Sequence, residues 1–235
     1  MILNDSKVTK IGENQTTDVI FLFINDKKET IFAPDMKQKS EITRLNIETH
    51  PLAPFIPEGA SVLMLGSFPP KRGKWSMEFY YPNWQNDMWR IFGLAFFNDK
   101  DFFVEQGEKR FRENAIREFL SEKKIAVSDT AQEVIRLQGN ASDKYLNIVT
   151  PVNLSRLLQQ MPMCRAIITT GQKACETAAG ILNVTIPKVG TSVSCHVDKR
   201  RITLYRMPSS SRAYPLALDK KAAAYRQMFI ELNLR

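Results

Sequence analysis

Two short segments concentrate the side chains that could do chemistry: GSFPPKRGKW at residues 66–75 and MPSSSRAYP at residues 207–215. In the first, Gly66 permits a tight exit from the apolar run before it, and Pro69 and Pro70 stiffen the loop. Lys71, Arg72 and Lys74 add positive charge just ahead of FYYPNW at residues 79–84. A flat slot of aromatic rings beside basic residues suits an extruded nucleobase, with ring faces for stacking and cations for the phosphate. Core packing is the competing use of these rings, and some of Phe79, Tyr80 and Tyr81 belong to a core in any fold. In the second segment, Pro208 leads into Ser209, Ser210, Ser211 and Arg212. Hydroxyls, backbone N–H groups and a guanidinium are good partners for phosphate oxygens. A serine-rich turn is the plainer alternative.

Several chemistries lack their residues. GSFPPKRGKW has neither the Lys-Ser/Thr ending of a phosphate loop nor the spaced glycines of a dinucleotide fingerprint. There is no GxSxG nucleophile elbow, and the HxE and PCxxC of a zinc deaminase are absent. Cys164, Cys175 and Cys195 are scattered with no CxxC, which argues for reduced thiols and against a disulfide scaffold, a structural zinc or an iron–sulfur cluster. The two histidines, His50 and His196, read as surface or capping residues. The formal net charge of +8 favours a polyanionic partner such as nucleic acid. No run nears the roughly 20 apolar residues of a membrane span, and the N-terminus lacks a signal-peptide pattern. The expectation is a cytoplasmic protein with no membrane partner.

These groups need a scaffold, and the pattern from residue 61 onward reads as α/β. VLML (62–65) has no polar alternation, as in a parallel strand covered on both faces. KIAV (124–127), RAIITT (165–170) and RITLYRM (201–207) repeat that signal. Met88, Ile91, Phe92, Ala95 and Phe96 recur at helical spacing, as do Phe111, Ala115, Phe119 and Leu120. GQKACETAAGIL (171–182) and the stretch through Leu218, Ala222, Tyr225 and Phe229 read as two more helices. Strands alternating with helices imply a mostly parallel sheet with helices on both faces. A ligand then sits at the carboxyl ends of the strands, so Gly66, Asp129, Gly171 and Pro208 are expected around one cleft. Residues 1–45 read as a separate element, with strands at 19–23 and 29–33 around an Asn-Asp turn. Pro51, Pro54 and Pro57 break the chain before the domain at 46–235.

Four segments, in order and spacing, carry a resemblance to a known family: HPLAPFIPEGASVLMLGSFPP, FYYPNWQNDMWRIFG, NIVTPVNLSRLLQQMPMCRAIITTGQKA and MPSSSRAYP. Over residues 49–229 the chain resembles the uracil-DNA glycosylase superfamily, most closely its hypoxanthine or deoxyinosine and mismatch-specific uracil/thymine branches. The resemblance implies a three-layer α/β/α fold with a four-stranded parallel sheet. It implies a monomer that flips a deaminated or mismatched base from DNA and hydrolyses the N-glycosidic bond without metal or organic cofactor. Familiar members carry Asp or Asn after the first strand, where this chain has Ser67 and then Phe68. The histidine of their second motif corresponds to Met207 or its neighbour, and Arg212 stands where relatives often have Pro. In the hypoxanthine-like branch an Asn at the start of the next helix takes over part of the work, and Asn86 fits that place.

The resemblance and the residue types together define an expected site. Asn86 and the backbone N–H groups of Ser67 and Phe68 orient water and donate to the leaving base, since developing charge is what such donors stabilise. Gly66 and Phe68 border the base, and Phe79 or Tyr80 stacks on it. Asp129 orients the base or the water or takes a proton from water, or else caps a helix starting near Thr130. Lys71, Arg72, Lys74 and the segment 208–212 meet the DNA backbone. A nucleic-acid-binding protein that has lost catalysis, and a small-molecule hydrolase or transferase on the same sheet, stay open as alternatives.

Overall fold

The computed structural model describes residues 47–137 and 145–235. The expected N-terminal hairpin, and with it the extension at 1–45, lies outside the described residues. The strands in chain order are β1 (Ile47–Thr49), β2 (Val62–Gly66), β3 (Ile125–Asp129), β4 (Ala131–Arg136), β5 (Leu146–Pro151), β6 (Ala166–Thr169), β7 (Thr191–Val197) and β8 (Arg200–Arg206). The helices are α1 (Met88–Phe92), α2 (Glu113–Glu122), α3 (Leu154–Gln159), α4 (Gln172–Leu182) and α5 (Leu218–Glu231). A π-helical turn, Gly93–Phe97, continues α1. Gly93 allows it, because a Cβ there would stand 2.2 Å from the Asp99 carbonyl oxygen.

The main sheet has the order β3-β2-β6-β8-β7. Its first four strands are parallel, and β7 returns antiparallel along β8. The expected four-stranded sheet is therefore five-stranded. TSVSCHV was missed because most of its residues are exposed at the sheet edge, so it lacks the apolar run of its neighbours. β2 is buried along its whole length and shows why the apolar runs are continuous. Val62 and Met64 point into a core built with α1, α2 and α5, while Leu63 and Leu65 point into a second core with α3 and α4. Successive side chains on a strand face opposite ways, so a strand between two helical layers is apolar at every position.

A second, antiparallel sheet has the order β1-β4-β5. The helix considered near Thr130 does not form, and β4 begins at Ala131 instead. Ala131, Val134 and Leu146, with Ile148, bury one face of this sheet against Phe68. The proline-rich segment after β1 runs along the free edge of β3, where Phe55 and Val127 exchange both backbone hydrogen bonds. Proline is tolerated at such an edge because no inner ladder bond is lost. Cys164, Cys175 and Cys195 are free, buried thiols. Among the described residues no helix is long and apolar enough to cross a membrane.

Candidate active site

Parallel register brings the strand ends to one level. Gly66 pairs with Asp129, Leu65 with Thr169, and Thr169 with Arg206. Just beyond them lies a cleft of about 600 Å³, lined by residues 66–70, 81–83, 85–86, Asp129, Thr170, Gly171, Ala174 and residues 209–215. Gly66, Asp129 and Gly171 line it, while Pro208 stays buried behind it and accepts a hydrogen bond from the Tyr225 hydroxyl at 3.0 Å.

Asp129 is the carboxylate of this cleft and is only 7% exposed. Its Oδ2 lies 2.8 Å from Nε2 of His50, a residue that sequence reasoning set aside. The His50 backbone N–H donates to the Gln132 carbonyl at 2.8 Å, so the β1–β4 pairing delivers the imidazole to the end of β3. Nδ1 is 2.8 Å from the Leu52 carbonyl oxygen and 3.2 Å from the Leu52 amide nitrogen. The ring stacks near Tyr80 at 5.9 Å and meets the ring of Phe68 edge-on at 5.2 Å. No sequence spacing links His50 to Asp129, which are 79 positions apart. The available signal was the scarcity of histidine, with one of two placed at the start of the domain.

The aromatic assignment needs correction. Phe79 and Tyr80 are 1% and 2% exposed in the core and do not line the cleft, so neither is free to stack on a ligand. Tyr81 lines it instead. Its φ of +52° is in the left-handed region, which costs energy in a non-glycine residue. The Tyr81 hydroxyl shares a 2.9 Å hydrogen bond with Thr170 Oγ1. Burial and the nearby Asp129 carboxylate push this phenol well above its ordinary pKa, so it stays neutral. Phe68 also lines the cleft. Behind it, Arg136 donates to both oxygens of Glu48 at 3.0 Å and to the Pro69 carbonyl at 2.6 Å, with its guanidinium 5.4 Å from the Phe68 ring.

Asn86 faces the cleft at the start of α1. Its Oδ1 accepts the Met88 N–H at 2.9 Å, satisfying the first N–H of α1 from the residue before the N-cap Asp87, while Nδ2 has no partner among the described residues. Capping and donation into the cleft are thus compatible. The adjacent Asp87 ties this turn to the serine loop. It accepts from Arg212 Nε at 3.2 Å and from the buried Lys221 Nζ at 3.0 Å, and its N–H donates to the Ser210 carbonyl at 2.9 Å. Ser209, Ser210, Ser211 and Arg212 line the cleft with Ser67. Arg212 is half-exposed but already paired. Lys71, Arg72 and Lys74 are exposed beside the short 3-10 turn Arg72–Lys74 and are not among the lining residues. Arg72 is paired with Glu78 at 2.7 Å.

The arrangement offers an acceptor at Asp129, donors at Asn86 and the serine loop, and ring surfaces at Phe68 and Tyr81. No cluster of three or more His, Cys, Asp or Glu suited to a metal ion occurs among the described residues. No protein-family model matches the chain, and no curated protein sequence is similar to it. Among solved structures, the chain is similar to the solution NMR structure of "a putative Uracil DNA glycosylase from Methanosarcina acetivorans", at 20% identity with a TM-score of 0.53, covering 80% of this chain and 99% of that one. At that identity the two chains share a fold.

Proposed function

We propose that the chain is a monofunctional DNA glycosylase that hydrolyses the N-glycosidic bond of a deaminated base, hypoxanthine or uracil, flipped out of DNA. The observation that carries this reading is the cleft floor, where the Asp129 carboxylate lies level with Gly66 and within a ring of Phe68, Tyr81, Asn86 and the serine loop. The fold shared with a structure described in glycosylase terms supports it. In the step itself, water loses a proton to Asp129 Oδ1 as its oxygen bonds to C1′ of the sugar. The C1′–N bond breaks, and its electron pair leaves with the base. Because Asn86 Oδ1 is committed to the Met88 N–H, Nδ2 acts as a donor to a carbonyl oxygen of the departing base, where negative charge develops. The Phe68 N–H, which has no acceptor among the described residues, is a second donor of this kind. The basic residues Lys71 and Lys74, next to the cleft loop, meet DNA phosphates.

A second reading, a nucleic-acid-binding protein without catalysis, is favoured by one feature. The loop after β2 carries no carboxylate, and Met207, where the second motif has histidine, is 2% exposed. Duplexes carrying uracil, hypoxanthine, xanthine or mismatched thymine, incubated with the chain and then treated with alkali, separate the two. Strand scission at the altered base is the expected result. Retarded migration of the same duplexes without scission would favour binding alone.

A further inference from the structure

We infer that His50 is a positioning residue for the reaction: it holds the Asp129 carboxylate by Oδ2 so that Oδ1 faces the cleft as the acceptor of the proton from water. This rests on the glycosylase reading and adds to it a residue from outside the four strand-end loops. The imidazole is fixed at every point of contact. Nε2 bonds Asp129 at 2.8 Å, Nδ1 bonds the Leu52 backbone, the Tyr80 ring stacks over one face, and the Phe68 edge closes another side. His50 and Asp129 are 8% and 7% exposed, so water competes little for either partner.

The direction of Asp129 comes from this tether together with Gly66. Oδ1 sits 2.3 Å from the position that a Gly66 Cβ would take, so only a glycine leaves that oxygen its place against the end of β2. Among the described residues Oδ1 accepts no hydrogen bond. One carboxylate oxygen is therefore spent on the imidazole and the other is open to the cleft. A carboxylate held at both rotational degrees of freedom stays aligned with its target, and such alignment accounts for large rate factors. The residue pair thus supplies what the loop after β2 lacks.

The test compares two amides of different reach in the full chain. Gln can project its side-chain N–H where His Nε2 projects, whereas Asn is too short to reach Oδ2. Single-turnover base release at saturating enzyme should fall by about 100-fold in His50→Asn and stay within about tenfold of the wild type in His50→Gln. The DNA concentration for half-saturation should change little in either, and both variants should stay folded at the assay temperature, so that the difference in rate between them is not one of folding. With two histidines in the chain, a protected downfield imidazole N–H resonance should be assignable to His50, lost in His50→Gln and moved upfield in Asp129→Asn. Equal losses in both His50 variants, equal rates in all three proteins, or absence of that resonance from the wild type would each overturn the proposal. A wild-type chain that releases no base from any altered duplex would instead fell the glycosylase reading, and the role of His50 in water activation with it.

Discussion

Replacing Gly66 with alanine tests the cleft floor by a single carbon atom. An alanine Cβ would stand 2.3 Å from Asp129 Oδ1 and 3.2 Å from the Tyr81 hydroxyl oxygen, where ordinary contact begins at 3.4 Å. The carboxylate must retreat by about 1 Å. Oδ2 resists that retreat through its 2.8 Å bond to a clamped imidazole, so the strain falls on the carboxylate itself. A displacement of about 1 Å from productive geometry lowers a rate by roughly 100-fold. Overpacking of this kind costs roughly 1–3 kcal/mol of stability, little enough to leave the chain folded. The assay is single-turnover base release from a hypoxanthine- or uracil-containing duplex, with urea unfolding run in parallel. Combining Gly66→Ala with Asp129→Asn should be no slower than Asp129→Asn alone, because both act through one carboxylate. A folded Gly66→Ala chain with wild-type release, or a double variant slowed by the product of the two single effects, would refute the reasoning.

Asn86→Ala removes both a cap and a donor, so it should cost about 1 kcal/mol in unfolding experiments and lower base release by about 100-fold. A stability loss with an unchanged rate would leave Asn86 as a cap only. Asp87→Ala strands the buried Lys221 ammonium, which is 1% exposed, and should cost about 3–5 kcal/mol by denaturant unfolding. Stability should fall as pH rises above about 8.5, where unfolded thiols ionise, because burial pushes the native Cys164 thiol up to about 11. The folded state then holds the proton that the unfolded state loses, so each unit of pH in that window lowers the unfolding free energy. Urea midpoints at neutral and alkaline pH measure it. Replacing Lys71, Arg72 and Lys74 together with Gln should flatten the salt dependence of DNA binding by up to about three units of slope. An unchanged slope would remove these residues from the interface.

The gains and losses of sequence reading divide by how local the determining physics is. VLML, KIAV and RAIITT were legible as strands because burial on both faces demands apolar residues at every position, a local demand. Their polarity then puts Gly66, Asp129 and Gly171 at one edge of the sheet. The strands β4, β5 and β7 were illegible because each keeps an exposed face or edge, and a half-exposed strand shares its composition with loops. Adjacent tyrosines illustrate the same limit. FYY identifies a cluster of rings, but only the folded chain puts Tyr80 inside the core and Tyr81 between that core and the cleft.

By its sequence alone this protein is an α/β chain with a strand-end cleft, a polar serine loop, an amide at the head of a helix and no carboxylate in the first loop. Each of these rests on residue type, periodicity or contiguity along the chain. Tertiary structure decided which groups share the floor of that cleft. The pairing of β1 with β4 carries His50 across 79 positions to Asp129, and the buried Lys221 and the half-exposed Arg212 converge on Asp87 from the far end of the chain. Hydrogen bonds and ion pairs depend on separation in space, and between residues this distant in sequence only the closed, packed chain sets that separation.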